Sequence, residues 1–241
     1  MSLSPDLRET LAQISTATLT TVLLKKGVRR SFMAGPKPIS QLLNTAPHGR
    51  IVGPAFTLRF VPAREDLATP ESWASPRSTR GAIEEMPEGC ICVADAMGIT
   101  EAGIFGDILC ARMNARKVAG LVTDGSVRDA DGVVRSKLPV WCTAVAAPAS
   151  VAGLTFVNWQ EPVGCGGIAV FPGDTIVADN DGAVCVPQAM VEAVAKEAVE
   201  QEAFENWAMD EVMKGAKLPG LYPPNDETKA RYAAFRSKGK S

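Results

Sequence analysis

Apolar residues first recur at helical spacing. Within residues 7–26, Leu7, Leu11 and Ile14 lie three or four positions apart, and Gly27 follows the last apolar residues. Such spacing collects apolar side chains on one face of a helix, and glycine commonly ends one. The pattern therefore predicts a single amphipathic first helix.

Apolar and β-branched runs then alternate with turns and shorter helices. Strands are predicted at residues 50–61, 90–95, 120–125, 139–146, 164–170 and 174–186, and helices near 82–86 and at 107–117. The strand, glycine turn, helix and strand between residues 90 and 125 predict a right-handed βαβ unit, whose loops lie where open α/β sheets bind ligands. The sequence therefore predicts an α/β fold.

Two segments differ in composition from this core. Residues 62–80 contain three prolines and many polar residues, which predicts a long surface loop. Residues 188–214 predict a long C-terminal helix, followed by a polar tail that ends at Ser241. We expect one domain over residues 1–241, with the core at about 5–187 and the helix and tail at 188–241.

Charge and hydropathy exclude two classes of partner. The 25 basic and 27 acidic residues nearly cancel, and no basic run is interleaved with aromatics, so we expect no nucleic-acid partner. No apolar stretch reaches the ~20 residues that span a bilayer, and the first ten residues lack the pattern of a secretory signal. We therefore expect no membrane partner and a cytoplasmic location.

Histidine and cysteine usage narrows the possible chemistry. His48 is the only histidine, so a zinc site with several histidines or a histidine-activated nucleophile is hard to build. The six cysteines are scattered through apolar segments without a CxxC pair, which predicts buried, reduced thiols. A metal here would have oxygen ligands, and these favour Mg²⁺ or Mn²⁺.

Two glycine-rich turns carry the candidate chemistry, and we expect both at the same edge of the sheet. The first, at residues 103–109, places the backbone N–H groups of Gly106, Asp107, Ile108 and Leu109 at a helix start, where they suit a carboxylate. The second, at residues 123–129, ends in Arg128 and Asp129.

These residue types match the needs of a 2-oxo acid. Arg128 would hold its carboxylate, and Asp129 would hold a divalent cation that stabilises the enolate left by bond cleavage. Asp107 would orient water or help move a proton. Gly103, Gly106 and Gly125 would let the ligand approach the backbone.

A purely structural interpretation of the same residues stays open. Asp107 would then cap its helix, and the glycines would be ordinary turn residues. Three arginines of the 62–80 loop, Arg64, Arg77 and Arg80, are either solvated or close enough to contact an anionic substrate.

The motifs GxxGD at residues 103–107 and DGxxRD at residues 124–129 resemble those of one known family. It contains the 4-hydroxy-4-methyl-2-oxoglutarate aldolases and the regulators of ribonuclease activity A. The resemblance extends from the first helix to Pro187. It implies a compact layered sandwich in which helices flank a mixed β-sheet, assembled as a homotrimer or hexamer with sites between subunits.

The resemblance also implies roles for individual residues. The amides of residues 106–109 would bind the substrate carboxylate, Arg128 would hold the substrate, and Asp129 would ligate the metal. Asp107 would orient a metal-bound water. An acidic residue from the C-terminal part of a neighbouring subunit would complete the metal's shell, and Glu202 and Glu205 are two of several candidates.

Three functions remain open at this point. The first is a metal-dependent lyase that releases pyruvate from 4-hydroxy-2-oxo acids and also decarboxylates oxaloacetate. The second is a non-catalytic regulator that binds a ribonuclease. The third is Schiff-base aldol chemistry at a desolvated lysine such as Lys117.

Overall fold

The computed structural model describes residues 3–45 and 49–238, so His48 lies outside the described residues. Within them the helices are α1 (Pro5–Ala12), α2 (Thr16–Lys25), α3 (Ile39–Leu42), α4 (Thr79–Glu85), α5 (Asp107–Ala115), α6 (Ala130–Arg135), α7 (Val191–Met213) and α8 (Asp226–Lys238). Short 3₁₀ helices lie at Pro70–Ala74, Ser150–Ala152, Cys165–Gly167 and Gln188–Met190. None of these helices is both long and apolar enough to cross a membrane.

The described strands follow the same chain order. They are β1 (Phe32–Met33), β2 (Lys37–Pro38), β3 (Ile51–Pro62), β4 (Ile91–Asp95), β5 (Gly103–Phe105), β6 (Gly120–Thr123), β7 (Ser126–Val127), β8 (Val140–Cys142), β9 (Ala144–Val145), β10 (Leu154–Trp159), β11 (Thr175–Asp179) and β12 (Gly182–Val186).

A nine-stranded mixed sheet forms the centre of the molecule. Its order is β1-β12-β11-β3-β4-β6-β8-β2, and β10 also pairs with the long strand β3. Strands β3, β4, β6 and β8 run parallel, whereas the strands toward both edges are antiparallel. The mixed sheet and the parallel pair β4 and β6 around helix α5 confirm the predicted α/β fold.

Helices cover the sheet through separate apolar clusters. One cluster joins α4, α5 and α6 to β3 and β4 through residues such as Ile83, Met113 and Val133. Another packs α1, α2 and α7 against β3, β11 and β12. Burial of these aliphatic side chains is the main contribution that holds the layers together. The predicted long C-terminal helix is confirmed as α7.

The structure departs from the expected local structure at several places. The predicted helix at 7–26 is two helices, because Ser15 adopts an extended conformation and its Oγ accepts a hydrogen bond from Thr18 N at 3.1 Å. Residues 164–170 are not a strand, since Gly166 and Gly167 take φ of 60° and 76° and form a 3₁₀ turn. Strand β10 and, within the polar tail, helix α8 were not expected.

Candidate active site

The two glycine-rich motifs lie side by side. Strand β5, which begins at Gly103, pairs in parallel with β7, which leads directly into Arg128. The N–H of Arg128 donates to the carbonyl of Phe105 at 2.9 Å. These bonds belong to a small three-stranded sheet of β5, β7 and β9. The expectation that both turns meet at one edge is confirmed.

Glycines in the first motif make room for side chains of the second. A Cβ added to Gly103 would lie 2.7 Å from Cβ of Arg128. A Cβ added to Gly106 would lie 2.6 Å from Oδ2 of Asp129. Both separations are shorter than packed carbon and oxygen atoms tolerate. The absence of a side chain at these two positions therefore lets the Arg-Asp pair sit against the first turn.

Gly125 of the second motif and Gly132 of helix α6 serve close packing of the protein itself. A Cβ added to Gly132 would meet Cβ and Oδ2 of Asp107, each at 2.5 Å. A Cβ added to Gly125 would lie 2.5 Å from Cβ of Ala96. Neighbouring protein atoms fill the space beside Gly125, as they do beside Gly103 and Gly106, and the expected approach of a ligand to the backbone of these glycines stays a prediction.

Asp129 holds its carboxylate away from the helix that it precedes. It is the N-cap of α6, yet its side chain accepts no capping hydrogen bond, and its backbone is left-handed at φ 53° and ψ 46°. A left-handed aspartate is uncommon, and such conformations cluster at functional sites. Its Oδ2 accepts from Nε of Arg128 at 3.2 Å, with the two side chains 46% and 36% exposed. An ion pair this exposed adds little stability and leaves both groups accessible to a ligand.

Asp107 is the first residue inside helix α5, whose N-cap is Gly106. Asp107 therefore does not occupy the N-cap position itself, although its side chain accepts an amide of the first turn. Its Oδ1 accepts the N–H of Ile108 at 2.7 Å, so one of the four amides predicted to bind a carboxylate already has a partner. Because an aspartate has two oxygens and about four lone-pair positions, most of its acceptor capacity remains available.

One cavity of about 420 Å³ contains all six residues predicted for the site, with others from neighbouring loops. It is lined by Trp73, Thr79, Arg80, Gly103, Ile104, Gly106, Asp107, Ile108, Leu109, Arg128, Asp129, Ala149 and Ser150. Sequence patterns had not singled out Trp73 or Ser150. For Trp73 the available signal was a tryptophan within the proline-rich loop. For Ser150 the sequence offers no signal.

The donor set of this cavity fits a hard cation. Its acidic side chains are Asp107 and Asp129, and neither histidine nor cysteine lines it. Oxygen donors of this kind suit Mg²⁺ or Mn²⁺ better than zinc. No group of three or more histidine, cysteine, aspartate or glutamate residues able to hold a metal occurs in the described part of the chain. A cation here would therefore depend on water or on another subunit for its remaining ligands.

The other candidate residues lie elsewhere. Glu202 accepts from Ser15 Oγ at 3.1 Å, and Glu205 accepts from Thr18 Oγ1 at 3.0 Å, so both have partners within their own chain. Their role in a neighbouring subunit's site stays a prediction. Lys117 is exposed, and its Nζ lies 3.1 Å from Glu88. A solvated, ion-paired lysine outside the cavity does not favour Schiff-base chemistry.

The sequence and the fold match a known class of protein. Residues 12–185 match the model of the RraA-like family, described as Aldolase/RraA, and the chain belongs to this family. A protein from Halalkalibacterium halodurans named "Putative 4-hydroxy-4-methyl-2-oxoglutarate aldolase" is 31% identical over 68% of this chain and 74% of its own length.

Two further relatives show how the family varies. The crystal structure of Streptomyces coelicolor RraAS2, described as an unusual member of the RNase ES inhibitor RraA protein family, is 33% identical with a TM-score of 0.74. It covers 86% of this chain and 96% of that one. DlpA from Legionella pneumophila is 25% identical over 89% of this chain, which spans only 33% of DlpA.

Proposed function

We propose that this protein is a divalent-metal-dependent lyase that cleaves 4-hydroxy-2-oxo acids to release pyruvate and also decarboxylates oxaloacetate. The observation that carries the proposal is the convergence of Asp107, Arg128 and Asp129 on one cavity. The aldolase name of the 31% identical relative supports the same class of reaction. Both reactions break a bond adjacent to C3 of a 2-oxo acid and leave the same pyruvate enolate.

Substrate binding would rest on positive and hydrogen-bond-donating groups. The Arg128 guanidinium offers a planar pair of donors for the carboxylate next to the 2-oxo group. The residues at the start of α5 line the same cavity, and their N–H groups add the positive end of the helix dipole. Together they would orient the bond between C3 and C4.

Asp129 would hold the cation, Mg²⁺ or Mn²⁺. When bound, such a cation supplies a Lewis acid that stabilises negative charge on the 2-oxo oxygen. Asp107 lies in the same cavity and would receive the proton of the C4 hydroxyl. As that O–H bond breaks, C4 becomes a carbonyl, the C3–C4 electron pair passes to C3, and a proton returned to C3 gives pyruvate.

The test is pyruvate release from 4-hydroxy-2-oxoglutarate, 4-hydroxy-4-methyl-2-oxoglutarate and oxaloacetate. We expect turnover with Mg²⁺ or Mn²⁺, loss of more than about 95% of it after exhaustive chelation, and recovery when the cation is added back. Unchanged turnover in the chelated protein would refute the metal-dependent reaction. No turnover of any of the three substrates would refute the lyase.

We further propose that the cavity is completed by a second copy of the chain in a homotrimer or hexamer. Two observations support this. Ile108, at the cavity wall, is 79% exposed, which is unusual for a large apolar side chain. The described chain also supplies too few acidic ligands for a cation. Light scattering coupled to gel filtration measures the assembly, and an active monomer would contradict this proposal.

A ribonuclease regulator is the second candidate, because the 33% identical RraAS2 structure is described as an RNase ES inhibitor family member. The two functions are separable by a direct assay. Inhibition of purified RNase ES by this protein, together with no pyruvate release, would replace the lyase. We expect the reverse result, since Arg128 and Asp129 are exposed within a concave cavity.

A further inference from the structure

A second guanidinium lines the same cavity as Arg128. Arg80, in the first turn of α4, is exposed at the cavity wall. Among the residues that the structure describes, no carboxylate lies within ion-pair distance of Arg80. Arg64 of the same loop differs, because its guanidinium contacts the Asp66 carboxylate at 2.8 Å. Arg80 is therefore a positive charge in a concave site with no ion-pair partner among the described residues.

The ring of Trp73 positions this guanidinium. The Arg80 Cζ lies 5.1 Å from the centre of the Trp73 ring, which also lines the cavity. Arginine stacked on an aromatic face keeps its N–H edges free for a ligand and loses less conformational freedom on binding. An arginine held in this way is preorganised for an anion.

Helix α4 is also fixed relative to the helix that starts the site. Glu84 accepts two hydrogen bonds from Arg112 of α5, at 2.8 and 2.7 Å. At the other end of α4, a Cβ on Gly81 would lie only 2.1 Å from the Pro76 carbonyl, so the preceding turn packs tightly. The position of Arg80 relative to Asp107, the first residue of α5, is therefore set by the packing of α4 on α5.

The reaction proposed above assigns no role to Arg80. Arg128 and Asp129 already form a pair, and Arg128 would serve the carboxylate beside the 2-oxo group. We propose that Arg80 binds the second carboxylate of the substrate, so that the site selects 4-hydroxy-2-oxo dicarboxylates over monocarboxylates. The predicted selectivity in turnover rests on the proposed lyase function, whereas the predicted binding of a second carboxylate by Arg80 does not.

Arg77 supplies a matched control three residues earlier. It is exposed like Arg80 and, among the described residues, has no ion-pair partner either. It lines an adjoining, smaller cavity of about 170 Å³, which shares Trp73, Thr79 and Ser150 with the candidate active site, and Arg77 does not line that site. Substitution of Arg77 removes the same charge from the same loop. An effect seen in the Arg80 variant and not in the Arg77 variant is therefore specific to the position of Arg80.

The kinetic test compares 4-hydroxy-2-oxoglutarate with 4-hydroxy-2-oxopentanoate, which lacks the second carboxylate. Arg80→Ala should lower kcat/KM for the dicarboxylate by about 10- to 100-fold and change the monocarboxylate value by less than about threefold. Arg80→Lys should keep part of the preference, because it retains charge without the planar donors. Equal losses on both substrates, or an equal effect of Arg77→Ala, would overturn the proposal.

A binding test keeps this proposal separate from the lyase. Titration of 2-oxoglutarate and of 2-oxopentanoate, followed by tryptophan fluorescence with Trp73→Phe as the signal control, needs no turnover. We expect tighter binding of the dicarboxylate by at least about tenfold, and loss of that difference in Arg80→Ala. If turnover fails but this pattern holds, the lyase is wrong and the anion site stands. If the two acids bind equally, the anion site is wrong.

Discussion

Two pairs of aspartates lie near the carboxyl ends of the parallel strands, and they differ in what their oxygens contact. The oxygens of Asp124 accept the N–H groups of Ala96 at 2.7 Å and Gly166 at 3.1 Å. Asp95 likewise accepts from two backbone N–H groups, at 2.9 and 3.0 Å. These carboxylates fasten loops to one another, and burial raises the pKa of Asp124 above its usual value.

Asp107 and Asp129 contrast with that pair. Within the described residues each accepts one hydrogen bond, Asp107 from the N–H of Ile108 and Asp129 from Nε of Arg128, and both line the open cavity. A carboxylate with both oxygens bonded to backbone amides joins two loops and stabilises the fold, whereas one with a single donor in a cavity keeps an oxygen available to a ligand. Position at the sheet edge is therefore common to both pairs, and the number of backbone donors separates their roles.

The largest expected effect is on catalysis at Asp129. Asp129→Asn should lower kcat/KM for pyruvate release by at least about 100-fold, because an amide is a weaker cation ligand than a carboxylate. Its unfolding free energy should change by less than about 0.5 kcal/mol, since the side chain is half exposed. Steady-state kinetics and urea unfolding measure the two quantities.

Asp131→Asn is the matched control for that prediction. Asp131 is an exposed carboxylate of α6 two residues away and does not line the cavity. The Asp131→Asn substitution removes the same charge as Asp129→Asn, yet it should leave kcat/KM within about twofold of the parent value. Equal losses in both variants would show that net charge, rather than the Asp129 carboxylate, supports the reaction.

Asp124 should show the opposite behaviour. Asp124→Ala leaves two backbone N–H groups without acceptors, and we expect a loss of about 2–4 kcal/mol of unfolding free energy. Because folding raises the pKa of Asp124, the stability linked to its proton is present below the ordinary aspartate pKa and is lost as pH rises through the folded value.

Urea unfolding between about pH 4 and 7 tests this sign. The difference in unfolding free energy between the parent chain and Asp124→Ala should shrink as the pH rises. A difference that grows over the same range would mean that the ionised carboxylate, rather than the protonated form, is the one that folding favours.

The same contrast explains what could be predicted from the sequence. Glycine turns between a strand and a helix identified residues 103–109 and 123–129, because local spacing determines where such loops lie. The hydrogen bonds of an aspartate in such a turn depend on more distant parts of the chain. One donor to Asp124 is the N–H of Gly166, in the Cys165–Gly167 turn more than forty residues later. Likewise the pairing of Trp73 with Arg80 depends on how a long loop folds back.

The errors in local structure have the same origin. Residues 164–170 are apolar enough for a strand, but Gly166 is held in a turn by close packing against Met33. Strand β10 forms because it pairs antiparallel with the second half of β3, from Leu154 opposite Pro62 to Trp159 opposite Leu58. Long-range partners such as these decide structure where the local pattern is ambiguous.

The smallest expected effect concerns the cysteine thiols. Like Asp124, they are buried, and we expect them to be inaccessible to a reagent in the native protein. All six cysteines are buried, and burial raises the pKa of Cys90, Cys110 and Cys142 to about 12. At pH 8 only about one in ten thousand of these groups would be thiolate, the reactive form. A chromogenic thiol reagent should therefore label none of them rapidly until the protein is denatured. Fast labelling of the native protein would contradict their burial.

Cation binding tests the central claim most directly. Electron paramagnetic resonance of free Mn²⁺, titrated with protein in the presence of pyruvate, counts bound ions and needs no turnover. We predict one ion per chain in the parent protein and in Asp131→Asn, and at least about tenfold weaker binding in Asp129→Asn. Equal binding by Asp129→Asn and Asp131→Asn, or no binding by the parent protein, would contradict a cation site at Asp129.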